Sequence, residues 1–310
     1  MSDLADDTGV LPAEKNDLVS SLLSVERLDK DVYRSRRLMR SRRSEPTSAV
    51  YGGQVIGQAL MAASSTVNDH LRPHSLHCYF IRAADPGKPI IYRVDQIRDG
   101  RSFSTRFVKA VQDDSTIFTA GLSFHKAETD SAVHQAQMPS VVPPEELETG
   151  REVIERLRAS EGVSERQRRH LDRRLADMPS TFDMKPTDPE AFAGVKTSAP
   201  RSLSWFKSAA RIDDDDRLHQ CVAAYVSDSV MVGTALVPHF AAGFKPSMSM
   251  SLDHSIWFHR PSLRMDDWHL YETDSPVAAA SRAFIRGRLW SRDGVLVLST
   301  AQEALLRAKL

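Results

Sequence analysis

The stretch YGGQVIGQALMAASSTV, residues 51–67, decides the fold. Its Val55, Ile56, Leu60, Met61 and Val67 recur at helical spacing behind Gly52 and Gly53, which predicts a helix entered through two glycines. Four runs follow it: SLHCYFIRAA, PIIYRVDQIRDG, SFSTRFVKAVQDD and TIFTAGLSFHKA. Their alternation and their Asp and Gly punctuation read as strands of a sheet wrapped around that helix.

The same order returns after residue 198. SLSWFKSAARI reads as a strand, LHQCVAAYVSDSVMVGTAL as one helix, and SMSLDHSIWFHRP, WHLYETDSP, SRAFIRGRLWSRDG and VLVLSTAQEALL as strands again. Tyr51 and Tyr225 open matching helical segments 174 apart, while Leu76 and Leu252, and Arg106 and Arg282, lie 176 apart. A steady offset predicts a duplication, two α+β units whose helix-bearing faces share a core. The first unit spans 18–128 and begins with LVSSLLSVERLD, which has helical spacing; the second spans 199–307. Between them, residues 129–198 carry Pro143-Pro144 and long charged runs in which Leu147, Ile154, Leu157 and Leu171 are too sparse for a core. These read as solvated helices in a linker. Residues 308–310 form a tail.

Lys plus Arg and Asp plus Glu number 41 each in 310 residues, so the chain lacks the positive field that gathers nucleic acid. The 41% apolar and 26% charged shares fit a globular protein, and no run approaches the roughly 20 apolar residues of a membrane span. Membrane insertion is not expected. The acidic start MSDLADDTGV does not resemble a secretory signal. Cys78 and Cys221, both in apolar segments, read as buried free thiols.

Three blocks, YGGQVIGQAL, SLDHSIWFHRP and DGVLVLSTAQE, in this order on a duplicated frame, resemble the type II acyl-CoA thioesterases, bacterial and peroxisomal enzymes of double hot-dog fold. The resemblance covers about residues 18–307 and is weakest in the linker. It implies hydrolysis of acyl-CoA to free acid and CoA without metal or organic cofactor. In that family a carboxylate, a hydroxyl and a glutamine carboxamide hold the attacking water. Carried over, these are Asp228 of YVSDS, Ser251 before LDH and Gln302 of TAQE. Ser251 stands where some bacterial members have threonine, and the hydroxyl is kept.

The chemistry accounts for these residue types. A carboxylate can take a proton from water, whereas a hydroxyl and a carboxamide have no basicity at neutral pH and can only orient it. Strand parity places Gln302 with Leu296, Leu298 and Thr300, facing inward. Backbone N–H groups at a helix start suit the oxyanion, which points to Gly52 and Gly53 with Gln54 beside them. The 174 offset pairs Asp228 with Gln54, and matching Thr119-Ala120 with Thr300-Ala301 pairs Gln302 with Gly121, so one centre per chain is expected, in the second half.

Other readings weigh less. Asp253 shares strand parity with Ser251 and is the rival acid; His254 reads as a structural histidine. The cluster Arg34, Arg36, Arg37, Arg40, Arg42 and Arg43 reads as a solvated edge strand rather than a phosphate seat. The run DDDD at 213–216 reads as an exposed turn, and GRSFS at 100–104 lacks the last glycine of a nucleophile elbow. A hot-dog hydratase would use an Asp/His pair on one short segment, but the fifth residue after Asp228 is Gly233. A non-catalytic acyl-CoA-binding protein is the remaining alternative. The tail Ala308-Lys309-Leu310 differs from the peroxisomal signal Ser-Lys-Leu in one small residue, so the expected partners are the acyl-CoA substrate and a peroxisomal import receptor, with cytoplasm as the alternative location. Pairing edges of the sheets predict a homo-oligomer.

Overall fold

In the first half, β1 (Val25–Asp29) and β2 (Val32–Ser35) precede helix α1 (Gly52–Ser64), and β3 (Leu71–Phe80), β4 (Ile91–Asp99), β5 (Phe103–Gln112) and β6 (Ser115–Lys126) follow it. Every residue of α1 except Gly52 and Met61 is buried, as its apolar sequence requires of a helix enclosed by a sheet. The β5–β6 hairpin closes through Asp113 and Asp114 at φ 47° and 59°, the left-handed pair of a type I′ turn, which matches the twist of the strands. The computed structural model describes residues 21–39, 49–178, 180–240, 243–244 and 246–308.

The connecting stretch forms α2 (Gly150–Ala159) and α3 (Glu165–Ala176), each opened by a capping box, at Thr149 and at Ser164. The second half then runs β7 (Phe182–Pro186), α4 (Pro189–Ala193), β8 (Arg201–Ser208), α5 (Asp216–Ser227), α6 (Met231–Phe240), β9 (Pro246–Ser251), β10 (Asp253–Phe258), β11 (His269–Ala279), β12 (Arg282–Ser291) and β13 (Leu296–Ala308). The 13 strands form one sheet in the order β1-β2-β4-β5-β6-β3-β10-β13-β12-β11-β8-β7, with β9 also on β13. The order reads the same from both edges once β7 is matched with β1, β8 with β2, β11 with β4, β12 with β5, β13 with β6 and β10 with β3. The duplication is real at the level of elements, and its seam is the antiparallel pairing of β3 with β10. The architecture is the expected α+β double hot-dog.

Several expectations change. Residues 25–29, expected to be helical with the segment before them, are β1, an edge strand of the sheet. The stretch expected as solvated linker supplies β7, which pairs with β8, and buries Ile154 and Leu171 against Ala193 in a small core of its own. Leu147, with Met138 and Val141, packs over buried Trp205, Leu270 and Trp290. The single helix expected over 218–236 is broken at Asp228, so α6 and not α5 is the counterpart of α1. By length and hydropathy the stretch Asp216–Phe240 would pass for a membrane span, contrary to expectation, yet 78% of its apolar window is buried inside the protein. The register also removes one repeat match: Arg106 is 1% exposed and holds Thr66 and Asp99, whereas Arg282 is exposed and pairs with Glu303.

The smaller readings can be placed too. Asp215 of the acidic run caps α5 and Asp214 pairs with Arg264. Arg34 lies in β2, beside the edge strand, and pairs with Glu26, while Arg40, Arg42 and Arg43 lie outside the described residues. Cys78 and Cys221 are free and buried. Ala308 belongs to β13, where it opposes Pro246, so the tail begins inside the last strand; Lys309 and Leu310 lie outside the described residues.

Candidate active site

The site is built on two irregularities. The first is the end of α5. Ser227 is its last residue and Asp228 its C-cap, and the Tyr271 hydroxyl donates to the Ser227 carbonyl at 2.7 Å, taking up an acceptor that the helix end leaves unpaired. The same hydroxyl is 2.9 Å from Thr300 Oγ1. This knot needs Gly287, because a Cβ there would come within 2.3 Å of Thr300 Oγ1 and 2.7 Å of the Tyr271 ring and hydroxyl.

The second is a β-bulge. Ser251 of β9 opposes Ala304 and Ser255 of β10 opposes Ala301, so four steps on one strand face three on the other. The extra residue shifts the pleat. Ser251 and His254, three apart, both reach Gln302 on β13: Gln302 Nε2 donates to Ser251 Oγ at 2.7 Å, and His254 Nδ1 is 2.6 Å from Gln302 Oε1. Asp253 goes elsewhere. Its carboxylate accepts the Glu303 N–H at 2.7 Å, on the bulge itself.

The two irregularities meet at Asp228. Ser251 Oγ donates to Asp228 Oδ1 at 3.1 Å, and His254 Nε2 is 2.9 Å from Ser227 Oγ. The structure therefore brings Asp228, Ser251 and Gln302 together in one hydrogen-bonded set. Gln302 and His254 are fully buried, Asp228 is 7% exposed, and only Ser251 of this group is half-buried. Burial holds the His254 imidazole neutral, pushed down to about pKa 4 despite the hydrogen bond that its ring makes to Gln302 Oε1, which favours the charged form.

The first half approaches from across the seam. A Cβ on Gly52 would lie 2.9 Å from Asp228 Oδ2 and from the Phe80 ring, so the start of α1 abuts the carboxylate. A Cβ on Gly53 would meet the Tyr225 carbonyl at 2.3 Å, and one on Gly57 the Cys221 carbonyl at 3.0 Å, so these glycines let α1 lie directly on the backbone of α5. Gln54 departs from expectation. Its Oε1 accepts the Met39 N–H, its Nε2 donates to the carbonyls of Leu22 and Arg37, and its own N–H donates to the Tyr51 carbonyl, so it anchors the N-terminal segment and has no donor left for an oxyanion. The pairing of Gln302 with Gly121 also fails on parity: the inward residues of β6 there are Ala120 and Leu122. No amide stands at that place in the first half.

The comparisons with known proteins agree with this frame. The family profile described as acyl-CoA thioesterase matches residues 173–305, and the one described as acyl-CoA thioesterase N-terminal domain matches residues 40–125. Acyl-coenzyme A thioesterase 8 of Rattus norvegicus is 43% identical over 294 residues, covering 94% of this chain and 89% of the relative. The chain belongs to the acyl-CoA thioesterase family.

Among solved structures, the acyl-CoA thioesterase II TesB2 of Mycobacterium marinum superposes with a TM-score of 0.74 at 32% identity, covering 94% of this chain and 98% of that one. A hot-dog protein of Alicyclobacillus acidocaldarius, at 16% identity and a TM-score of 0.72 over 94% of this chain and 99% of its own, matches in fold alone. This acyl-CoA thioesterase is a thioester hydrolase. Sequence reasoning missed Ser227, Tyr271 and the partnership of His254 with Gln302. The signal was the polar spacing S-x-x-H in SLDH, which puts both side chains on one face only if a bulge intervenes.

Proposed function

We propose that the enzyme hydrolyses acyl-CoA with a water held by Asp228, Ser251 and Gln302, at a single centre in its second half. The observation that carries this reading is the continuous set of bonds from Gln302 through Ser251 to the Asp228 carboxylate. Asp228 takes a proton from the water as its oxygen attacks the thioester carbonyl. The N–H groups of Gly52 and Gly53, at the start of α1 where helix geometry supplies no acceptor, receive the carbonyl oxygen as it becomes negative. The C–S bond then breaks, the proton passes from Asp228 to the departing thiolate, and free acid and CoA leave. The first half thus supplies the oxyanion donors and the second half the base.

The test is release of CoA thiol from a series of acyl-CoAs by wild type and by Asp228→Asn. Loss of a positioned base lowers kcat by about 10²–10⁴-fold, with bound substrate retained. Turnover by Asp228→Asn at the wild-type rate would dismiss the assignment. A labelled acyl-enzyme on Ser251 would dismiss the water route.

The tail supports two further proposals, that the enzyme resides in the peroxisome and that Ala308-Lys309-Leu310 is read by the import receptor. Removing the last two residues should leave a fluorescently tagged chain in the cytosol, and unchanged peroxisomal location would refute both. We also propose a homo-oligomer, since β1 and β7 are the two ends of the sheet among the described residues.

A further inference from the structure

We infer that His254 is a positioning residue, one that fixes the Gln302 carboxamide with its NH₂ group toward the reacting water. The inference rests on the site proposed above and follows from counting donors and acceptors around it. A carboxylate has only acceptors, so at 3.1 Å the Ser251 hydroxyl must donate to Asp228 Oδ1. That hydroxyl has one proton, so toward Gln302, 2.7 Å away, it can only accept. Gln302 therefore presents its NH₂ group to Ser251 and turns its Oε1 to His254.

An amide oxygen needs a donor, and at 2.6 Å it faces His254 Nδ1, which must carry the ring proton. Nε2 of the neutral ring is then an acceptor, and the Ser227 hydroxyl, 2.9 Å away, satisfies it. The Ala224 carbonyl, 2.8 Å from Ser227 Oγ, is the alternative acceptor for that hydroxyl and does not alter the rest. From His254 onward the bonds run one way, through Gln302 and Ser251 to Asp228. The series closes on itself because Ser227 and Asp228 are neighbours in the chain.

Two consequences follow for the reaction. Gln302 acts on the water or on the developing oxyanion only as a donor, through the second hydrogen of its NH₂ group, because its oxygen is turned away to His254. The amide also has a false state, rotated by 180°, in which Oε1 would face the Ser251 oxygen and repel it. The His254 Nδ1–H is what disfavours that state. His254 is fully buried and touches no reacting atom, so its effect passes through Gln302.

The test compares His254→Leu, which has no donor, His254→Asn, whose amide nitrogen falls near the place of Nδ1, and His254→Gln, which reaches only the place of Nε2. Folding is checked by thermal melting, and kcat and KM are measured for each variant and for Gln302→Met alone and with His254→Leu. Loss of a fixed donor lowers kcat by about 10²-fold. We expect that loss in His254→Leu and His254→Gln with little change in KM, recovery of most of it in His254→Asn, and no further loss from His254→Leu once Gln302→Met is present. Should His254→Leu not fold, the contrast between His254→Asn and His254→Gln decides alone. Equal kcat in those two variants would overturn the positioning role, as would an additive loss in the double variant. Wild-type turnover by Gln302→Met would instead overturn the site itself.

Discussion

At the residue scale, a buried imidazole couples the site to acid stability. The His254 pKa is about 4 in the folded protein against the ordinary 6.5 of the unfolded chain. The unfolded state therefore binds a proton first as pH falls, and stability is lost between about pH 6.5 and 4 and levels off below. The difference corresponds to about 3 kcal/mol for this one group. His170, His219 and His269, which burial also holds below the ordinary value, lose stability in the same direction. A comparison isolates the share of His254. Urea unfolding of His254→Asn across pH 7 to 4 should show a shallower acid loss than wild type, by up to about 3 kcal/mol. Parallel curves would show that the ring does not stay neutral in the fold.

At the scale of the element, the repeat was legible because hydrophobic period reports enclosure: the apolar α1, the alternating β5 and β6 and the closing β13 each read correctly. Gln302 was found on parity because β13 runs regularly through it. Asp253 was misjudged because strand parity presumes an unbroken pleat, and the bulge between β9 and β10 reverses it. The stop after Ser227 was invisible for a related reason. VSDSVMV keeps helical apolar spacing across the break, and the group that takes up the Ser227 carbonyl there lies far away in sequence, the Tyr271 hydroxyl, for which Gly287 leaves room. β1 and β7 are edge strands of five residues each, too short for alternation to outweigh their charged neighbours.

At the scale of the whole molecule, a symmetric sheet carries an asymmetric site. A duplicated fold with two α1-like helices has two places where a catalytic centre would stand, related by the β3–β10 seam. In the first half that place is spent on structure. Gln54, in the first turn of α1, is bonded to Leu22, Arg37 and Met39, and Gln58 also donates to the Leu22 carbonyl. Ala120 and Leu122 stand where an amide would be needed. The N-terminal segment packs against this part of α1, and its backbone groups satisfy the buried amides that would otherwise cost about 1–3 kcal/mol each. Titration calorimetry with a non-hydrolysable acyl-CoA thioether should therefore give one equivalent bound per chain, and Asp228→Asn alone should lower turnover by the full factor of about 10²–10⁴ without leaving a second phase at the wild-type rate. Two equivalents would mean that the first half keeps a working pocket behind residues 22–39, and that the duplication was never reduced to one centre.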